Sequence, residues 1–281
     1  MSHPVRRDGD RFHDSLSFDF ADLARGVAGL VRVVVRAAED RADGEAILIG
    51  ADAASASVPS RVGVPAGGAP DDWGSVDLGG VRISDDGERA RIACETDTVG
   101  FAIDTTRLGG VAFEPGSAFS DASGLTHEAW AARVDGEWYA GGSSGRVDAF
   151  GGVLRSSGAI DWTAVELIRS LTAVLEDGSL LALASARAVG ASGHGEEAAS
   201  AVFLDSAGSL TRFEEPLLST EYDTAGSPRR AGLELWSADD DAPALRGAGT
   251  LIAGNEDTAF LRFSFDGTPG TARYELMRAA Q

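Results

Sequence analysis

The chain has 281 residues, 43% of them hydrophobic and 24% charged, a composition that suits a folded protein of two domains of roughly 100 to 150 residues rather than a disordered chain. Its net charge of −20 sets 44 acidic residues against 24 basic ones, all arginine, which argues against a nucleic-acid partner because a phosphate backbone calls for a basic face. The single cysteine, Cys94, excludes an internal disulfide and a multi-cysteine metal cluster, and no apolar run reaches the length of a membrane span.

The opening MSHPVRRDGDRFHD carries arginines with no apolar core behind them. No signal peptide is expected, and the cytoplasm is the default location. Short runs with alternating or β-branched character then follow one another: GLVRVVVRA from Gly29, EAILIGA from Glu45, VRISDDGERARIAC from Val81, EAWAARVDGEWYAG from Glu128, SLLALASARAV from Ser179 and FLRFSFDGTPGTARYELM from Phe260. This periodicity predicts an all-β chain. Aspartate-glycine pairs at Asp86-Gly87, Asp135-Gly136, Asp177-Gly178 and Asp266-Gly267 mark expected hairpin turns, since glycine tolerates the positive φ of tight turns.

Two polar stretches interrupt the strands. Residues 51–74, rich in Ala, Ser, Pro and Gly, predict a long irregular excursion, and residues 190–200 a shorter loop. WTAVELIRSLTAVL, from Trp162 to Leu175, fits a helix or a strand, and the Asp177-Gly178 turn behind it favours the strand. About eight antiparallel strands per half is the number at which a sheet closes around one small ligand. The expected architecture is therefore two consecutive antiparallel β-barrels, residues 1–148 and 149–281, with an immunoglobulin-like sandwich pair as the alternative.

The order of segments resembles the tandem lipocalin-like family of carotenoid hydratase (hydroxyneurosporene synthase) and its attachment-protein-like relatives. DRFHDSLSFDF looks like that family's opening strand, GLVRVVVR like the arginine-bearing strand after it, and the stretch from HEAWAARVDGEWYAG to GAIDW like the segment joining its two barrels. YDTAGSPRRAGLELW through GTARYELMR is similar to its closing hairpins. The joining segment typically carries an Arg-Asp-His-Ser-Trp-Gly element followed by an Asp-Trp pair. Counting back from Asp161-Trp162, the family's Arg, Asp, His and first Trp fall on Val153, Leu154, Arg155 and Ser157, so Ser156, Gly158, Asp161 and Trp162 agree and the histidine is replaced.

The resemblance implies two lipocalin-like barrels that bind a hydrophobic small molecule of terpenoid, polyene or steroid-like character. It further implies a cofactor-independent cyclase or hydratase, with a non-catalytic lipophilic-ligand carrier as the alternative and a structural partner-binding protein as a third reading. Such chemistry needs an acid, and Asp161, Glu128 and Glu275 are the candidate catalytic carboxylates. Each also has a structural reading: Asp161 bonded to backbone groups, Glu128 and Glu275 salt-bridged or exposed. Trp130, Trp138, Tyr139, Trp162, Trp236 and Tyr274 are the candidate ligand-binding rings, although barrels also use such rings to fill volume. His3, His13, His127 and His194 show no metal spacing, the GGSSGR stretch around Ser143 lacks the strand-to-helix context of a nucleophile elbow, and no glycine cluster has the spacing of a phosphate-binding loop. No metal and no cofactor are expected.

Overall fold

A computed structural model describes residues 5, 12–36, 39–49, 60–96, 99–140, 142–213, 216–236 and 244–278. The first sheet begins with β1 (Phe12–Asp22), β2 (Val27–Arg36), β3 (Arg41–Ile49) and β4 (Ser60–Gly67). It continues with β5 (Ser75–Asp77), β6 (Val81–Asp85), β7 (Arg89–Glu95), β8 (Val99–Phe113), β9 (Leu125–Ala140) and β10 (Ser143–Ala159). A short helix, α1 (Ala118–Ser123), stands between β8 and β9. The second sheet contains β11 (Val165–Leu175), β12 (Leu180–Ala188), β13 (Ala198–Leu204), β14 (Leu210–Phe213), β15 (Leu217–Tyr222), β16 (Pro228–Leu235), β17 (Leu245–Gly254), β18 (Thr258–Phe265) and β19 (Thr268–Arg278).

The two sheets repeat one plan. Each is a pair of antiparallel meanders whose last strand returns to pair with the first, giving the orders β4-β3-β2-β1-β10-β9-β8-β7-β6-β5 and β14-β13-β12-β11-β19-β18-β17-β16-β15. In the first, Phe12 to Phe20 of β1 lie against Ala159 to Gly151 of β10, and in the second Leu167 to Leu175 of β11 lie against Arg278 to Gly270 of β19. The sheets curl into two lipocalin-like barrels, as the segment order implied. The chain forms two compact units, residues 1–108 with 130–159 and residues 109–129 with 160–281; positions 148 and 149 lie inside β10.

Alternation makes the cores. β6 and β7 bury every second side chain, and Leu16, Phe18 and Phe20 of β1 meet Val81, Ile83, Ile92, Phe101 and Val153 inside the first barrel. Phe20 and Phe101 meet edge to face at 5.6 Å. Inside the second barrel Leu171, Leu183, Leu233, Leu261, Phe263 and Phe265 gather around Tyr274. β11 is buried on both faces, which is why its sequence loses the alternation of a half-exposed strand and passes for a helix. Cys94 sits in the first core, and burial pushes its thiol up to about 11, so it stays protonated.

Three of the four aspartate-glycine pairs turn hairpins. At Asp266-Gly267 both residues have positive φ, 45° and 83°, the backbone of a two-residue hairpin turn. Asp135-Gly136 corrects the expectation, because it lies within β9, where the glycine permits a close approach: a Cβ there would stand 2.1 Å from the carbonyl oxygen of Ala102. The expected irregular stretch 51–74 also needs correction, since residues 60–67 form β4 and pair with β3, while 51–59 lie outside the described residues. Residues 162–164 form a turn and β11 follows, so Trp162 to Leu175 is not a helix.

The close approach at Gly136 has a measurable cost. Gly136→Ala is expected to lower unfolding free energy by about 1–3 kcal/mol, as overpacking does, whereas Gly68→Ala, with open space around its Cβ, changes it little. Denaturant melts of the two variants check this, and equal stability would refute the close packing of β8 on β9.

Candidate functional site

Inside the first barrel the inward face of β1 continues from Phe20, Phe18 and Leu16 to Asp14, which is wholly buried. A charge in that position needs a partner of opposite sign with hydrogen bonds to match. Arg155, on the inward face of β10, supplies both through a two-pronged contact, Nε to Oδ1 at 3.2 Å and Nη2 to Oδ2 at 2.8 Å. The indole of Trp73 donates from Nε1 to Asp14 Oδ2 at 3.1 Å. The Arg155 side chain is 13% exposed, so the arginine side of the pair is not sealed from solvent.

A second charge pair stands at the same end. Arg107 of β8 donates from Nη2 to Asp85 Oδ2 and from Nη1 to the Gly87 carbonyl, both at 2.6 Å. Its guanidinium carbon lies 4.7 Å from the ring centroid of Trp130 on β9, a cation–π contact. The Trp73-Gly74 step ties the two pairs together: the indole reaches Asp14 while the Gly74 carbonyl accepts the Asp85 N–H at 3.1 Å. Two arginines, two aspartates and two indoles thus ring one end of an apolar barrel.

The second barrel holds its own buried polar network. Arg169 of β11, 1% exposed, donates from Nε to Glu197 at 3.0 Å, from Nη1 to Thr220 Oγ1 at 3.1 Å and from Nη2 to the Leu218 carbonyl at 2.9 Å. Ser185 donates to the same Glu197 carboxylate at 2.7 Å. The Tyr274 hydroxyl shares hydrogen bonds with Thr220 at 2.9 Å and Tyr222 at 3.3 Å. Burial pushes the Tyr274 phenol well up, outweighing the opposing pull of Arg169, so it remains an O–H donor. Burial also weighs against the charge of Arg169, yet Tyr274 and Glu197 hold it above its ordinary value.

The candidate residues read from the sequence fall in different settings. Asp161 is exposed in the turn before β11, where its carboxylate accepts the N–H of Thr163 at 3.0 Å and the Thr163 hydroxyl at 2.6 Å; Trp162 beside it is half-buried. Glu128 is half-buried on β9. Glu275 is buried on β19, on the face opposite Tyr274, with Arg273 Nε 3.4 Å from its Oε2. These carboxylates stand on three separate elements. Trp138 belongs to the first core, Tyr139 is exposed and donates to the Thr96 carbonyl at 2.8 Å, and Trp236 is half-buried after β16. Trp130 and Tyr274 are the two rings that lie within the buried polar clusters.

Asp14, Arg155, Trp73, Asp85, Arg107, Arg169 and Glu197 were not among the sequence candidates. The signal that finds several of them is a charge two residues from apolar neighbours on an inward strand face: Asp14 before Leu16, Arg155 after Val153, Arg169 between Leu167 and Leu171. Among the described residues no three His, Cys, Asp or Glu side chains gather as a metal site, and no helix is long and apolar enough to cross a membrane.

With this geometry in place, comparison gives the fold a family. Residues 1–278 match the model of a family described as Domain of unknown function (DUF7064). The chain belongs to that family. No curated protein matches the sequence. Among solved structures, this DUF7064 chain is similar to kievitone hydratase from Nectria haematococca, with a TM-score of 0.67 and 10% identity over 95% of this chain and 89% of that one. It is also similar to CghA in complex with Sch210972, with a TM-score of 0.64 and 11% identity over 96% and 89%, and to CghA alone, with 0.62 and 12% over the same shares. At these identities the shared property is the fold.

The Asp14–Arg155 pair makes a direct prediction. Arg155→Met strands a buried carboxylate and should cost about 3–5 kcal/mol, and adding Asp14→Asn should return much of that loss. Urea unfolding of the single and double variants measures the coupling, and additive losses would show that the pair does not act as a unit.

Proposed function

We propose that the protein binds a hydrophobic small molecule of terpenoid, polyene or steroid-like character within its lipocalin-like barrels and hydrates or cyclises it without a cofactor. The observation that carries this reading is the ring of Asp14, Arg155, Trp73, Asp85, Arg107 and Trp130 at one end of an otherwise apolar barrel. Polar groups held in a desolvated apolar setting are the usual make-up of a small-molecule site. The barrel wall shapes a flexible chain, and the charges and indole faces stabilise the positive charge that forms when an alkene is protonated. Hydration then places the proton on one alkene carbon and the water oxygen on the other, so one water is added and nothing is oxidised.

The resemblance to carotenoid hydratase and the fold shared with a protein named kievitone hydratase support the reaction class. Of the proposed acids Asp161, Glu128 and Glu275, Glu128 stands nearest the ring along the chain, two residues before Trp130 on β9, whereas Asp161 is exposed in its turn and Glu275 lies on the face opposite Tyr274. The carrier reading draws on one specific observation: Arg155 stands where the resemblance places a histidine, and it is locked to Asp14.

Incubating the purified protein with a panel of polyenes and prenylated phenols in heavy-oxygen water tests the proposal by mass spectrometry. A product carrying the label, or an isomer of unchanged mass with a new ring, is expected, and one of Glu128→Gln, Asp161→Asn and Glu275→Gln should slow it by about 10²-fold or more. Ligand that is retained but never converted would replace the enzyme by the carrier.

A further inference from the structure

Among the described residues, the ring at the end of the first barrel leaves a buried donor without an acceptor. The Nε–H of Arg107 is buried and has no acceptor among the described residues, although the other nitrogens of the same guanidinium are held by Asp85 and Gly87. A buried donor without a partner costs about 1–3 kcal/mol, so it is a place where an arriving acceptor is rewarded. The neighbourhood suits a ligand: Trp130 is half-buried with its ring against the guanidinium, and the Arg107 side chain retains 12% exposure while the core strands behind it are closed. The guanidinium is already neutralised by Asp85, and Arg155 by Asp14, so the ring as a whole carries no spare positive charge. A chain of net charge −20 adds a further penalty for an anion.

We infer that this end of the first barrel recognises a neutral oxygen, a carbonyl or hydroxyl, on an otherwise apolar ligand, with Arg107 as the donor and the Trp130 ring as the surface on which the adjoining carbons lie. The inference rests on the small-molecule reading above and sharpens it. The substrate class becomes an oxygenated lipophile with an uncharged head, neither a pure hydrocarbon nor a carboxylate.

Retinoids differing only at the head supply the test: retinol and retinal carry a neutral oxygen, anhydroretinol is a hydrocarbon, and retinoic acid is an anion. Quenching of tryptophan fluorescence in the full chain gives each Kd. Retinol and retinal are expected to bind about tenfold tighter than anhydroretinol, the ratio one buried charge-assisted hydrogen bond supports, with retinoic acid weaker than retinol. Arg107→Lys keeps a cation for Asp85 but removes the planar Nε–H, and it should bring the ratio of anhydroretinol to retinol close to one. If that variant fails to fold, the neutral pair Asp85→Asn with Arg107→Gln serves in its place and should abolish the preference equally.

Equal Kd values for retinol, retinal and anhydroretinol in the unaltered protein would overturn the head-group inference and leave the lipophile site standing. A preference that persists in a folded variant would also overturn it, because Arg107 would then not be the donor. Tightest binding by retinoic acid would overturn the neutral-head class. Absence of binding by all four would overturn the small-molecule reading and this inference with it.

Discussion

A charge placed inside a β-barrel has to find its counter-charge inside the same barrel, because water cannot follow it there and the strand wall offers only apolar neighbours. That constraint organises both halves of this chain. Asp14 is answered by Arg155 and Trp73, Asp85 by Arg107, and Arg169 by Glu197, Thr220 and a backbone carbonyl. These pairings span from 22 to 141 residues of sequence, so the polar contacts also tie separate parts of each sheet together. Such pairs are weak evidence for stability in themselves. Their position, gathered at one end in the first barrel, is what makes them a candidate site.

The return of the last strand to the first makes these meetings possible. Asp14 and Arg155 are 141 residues apart, yet β1 and β10 are neighbours, and Arg169 and Tyr274 face one barrel interior because β11 pairs with β19. Repeating the plan has given the two barrels different interiors. The first gathers charged pairs beside indoles, whereas the second builds an arginine–glutamate network with tyrosine and threonine hydroxyls. The family model spans both barrels, and the similar solved structures cover the same length.

Much of the fold was legible in the sequence because alternation and turn chemistry are local. Asp266-Gly267 turns a hairpin as its residue types require, and VRISD alternates as a half-buried strand must. Asp135-Gly136 was misread because the same dipeptide also serves where one strand crowds another, a long-range reason invisible in a short window. β4, SRVGVPAG, was hidden by its glycine and proline. The site was less legible still. Trp130 and Tyr274 were visible as rings, but the charges beside them were not, since an inward arginine differs from an outward one only through the strand register, and its partner is named by topology.

The ringed end of the first barrel is the proposed place where a lipophile enters and where its uncharged oxygen is held. A crystal structure of the protein grown with retinol tests that claim most directly. Ligand density is expected against the Trp130 ring, with the hydroxyl within hydrogen-bond reach of Arg107 Nε and the polyene directed toward the apolar interior. Ordered ligand elsewhere, with the ring of Asp14, Arg155, Asp85 and Arg107 untouched, would contradict it.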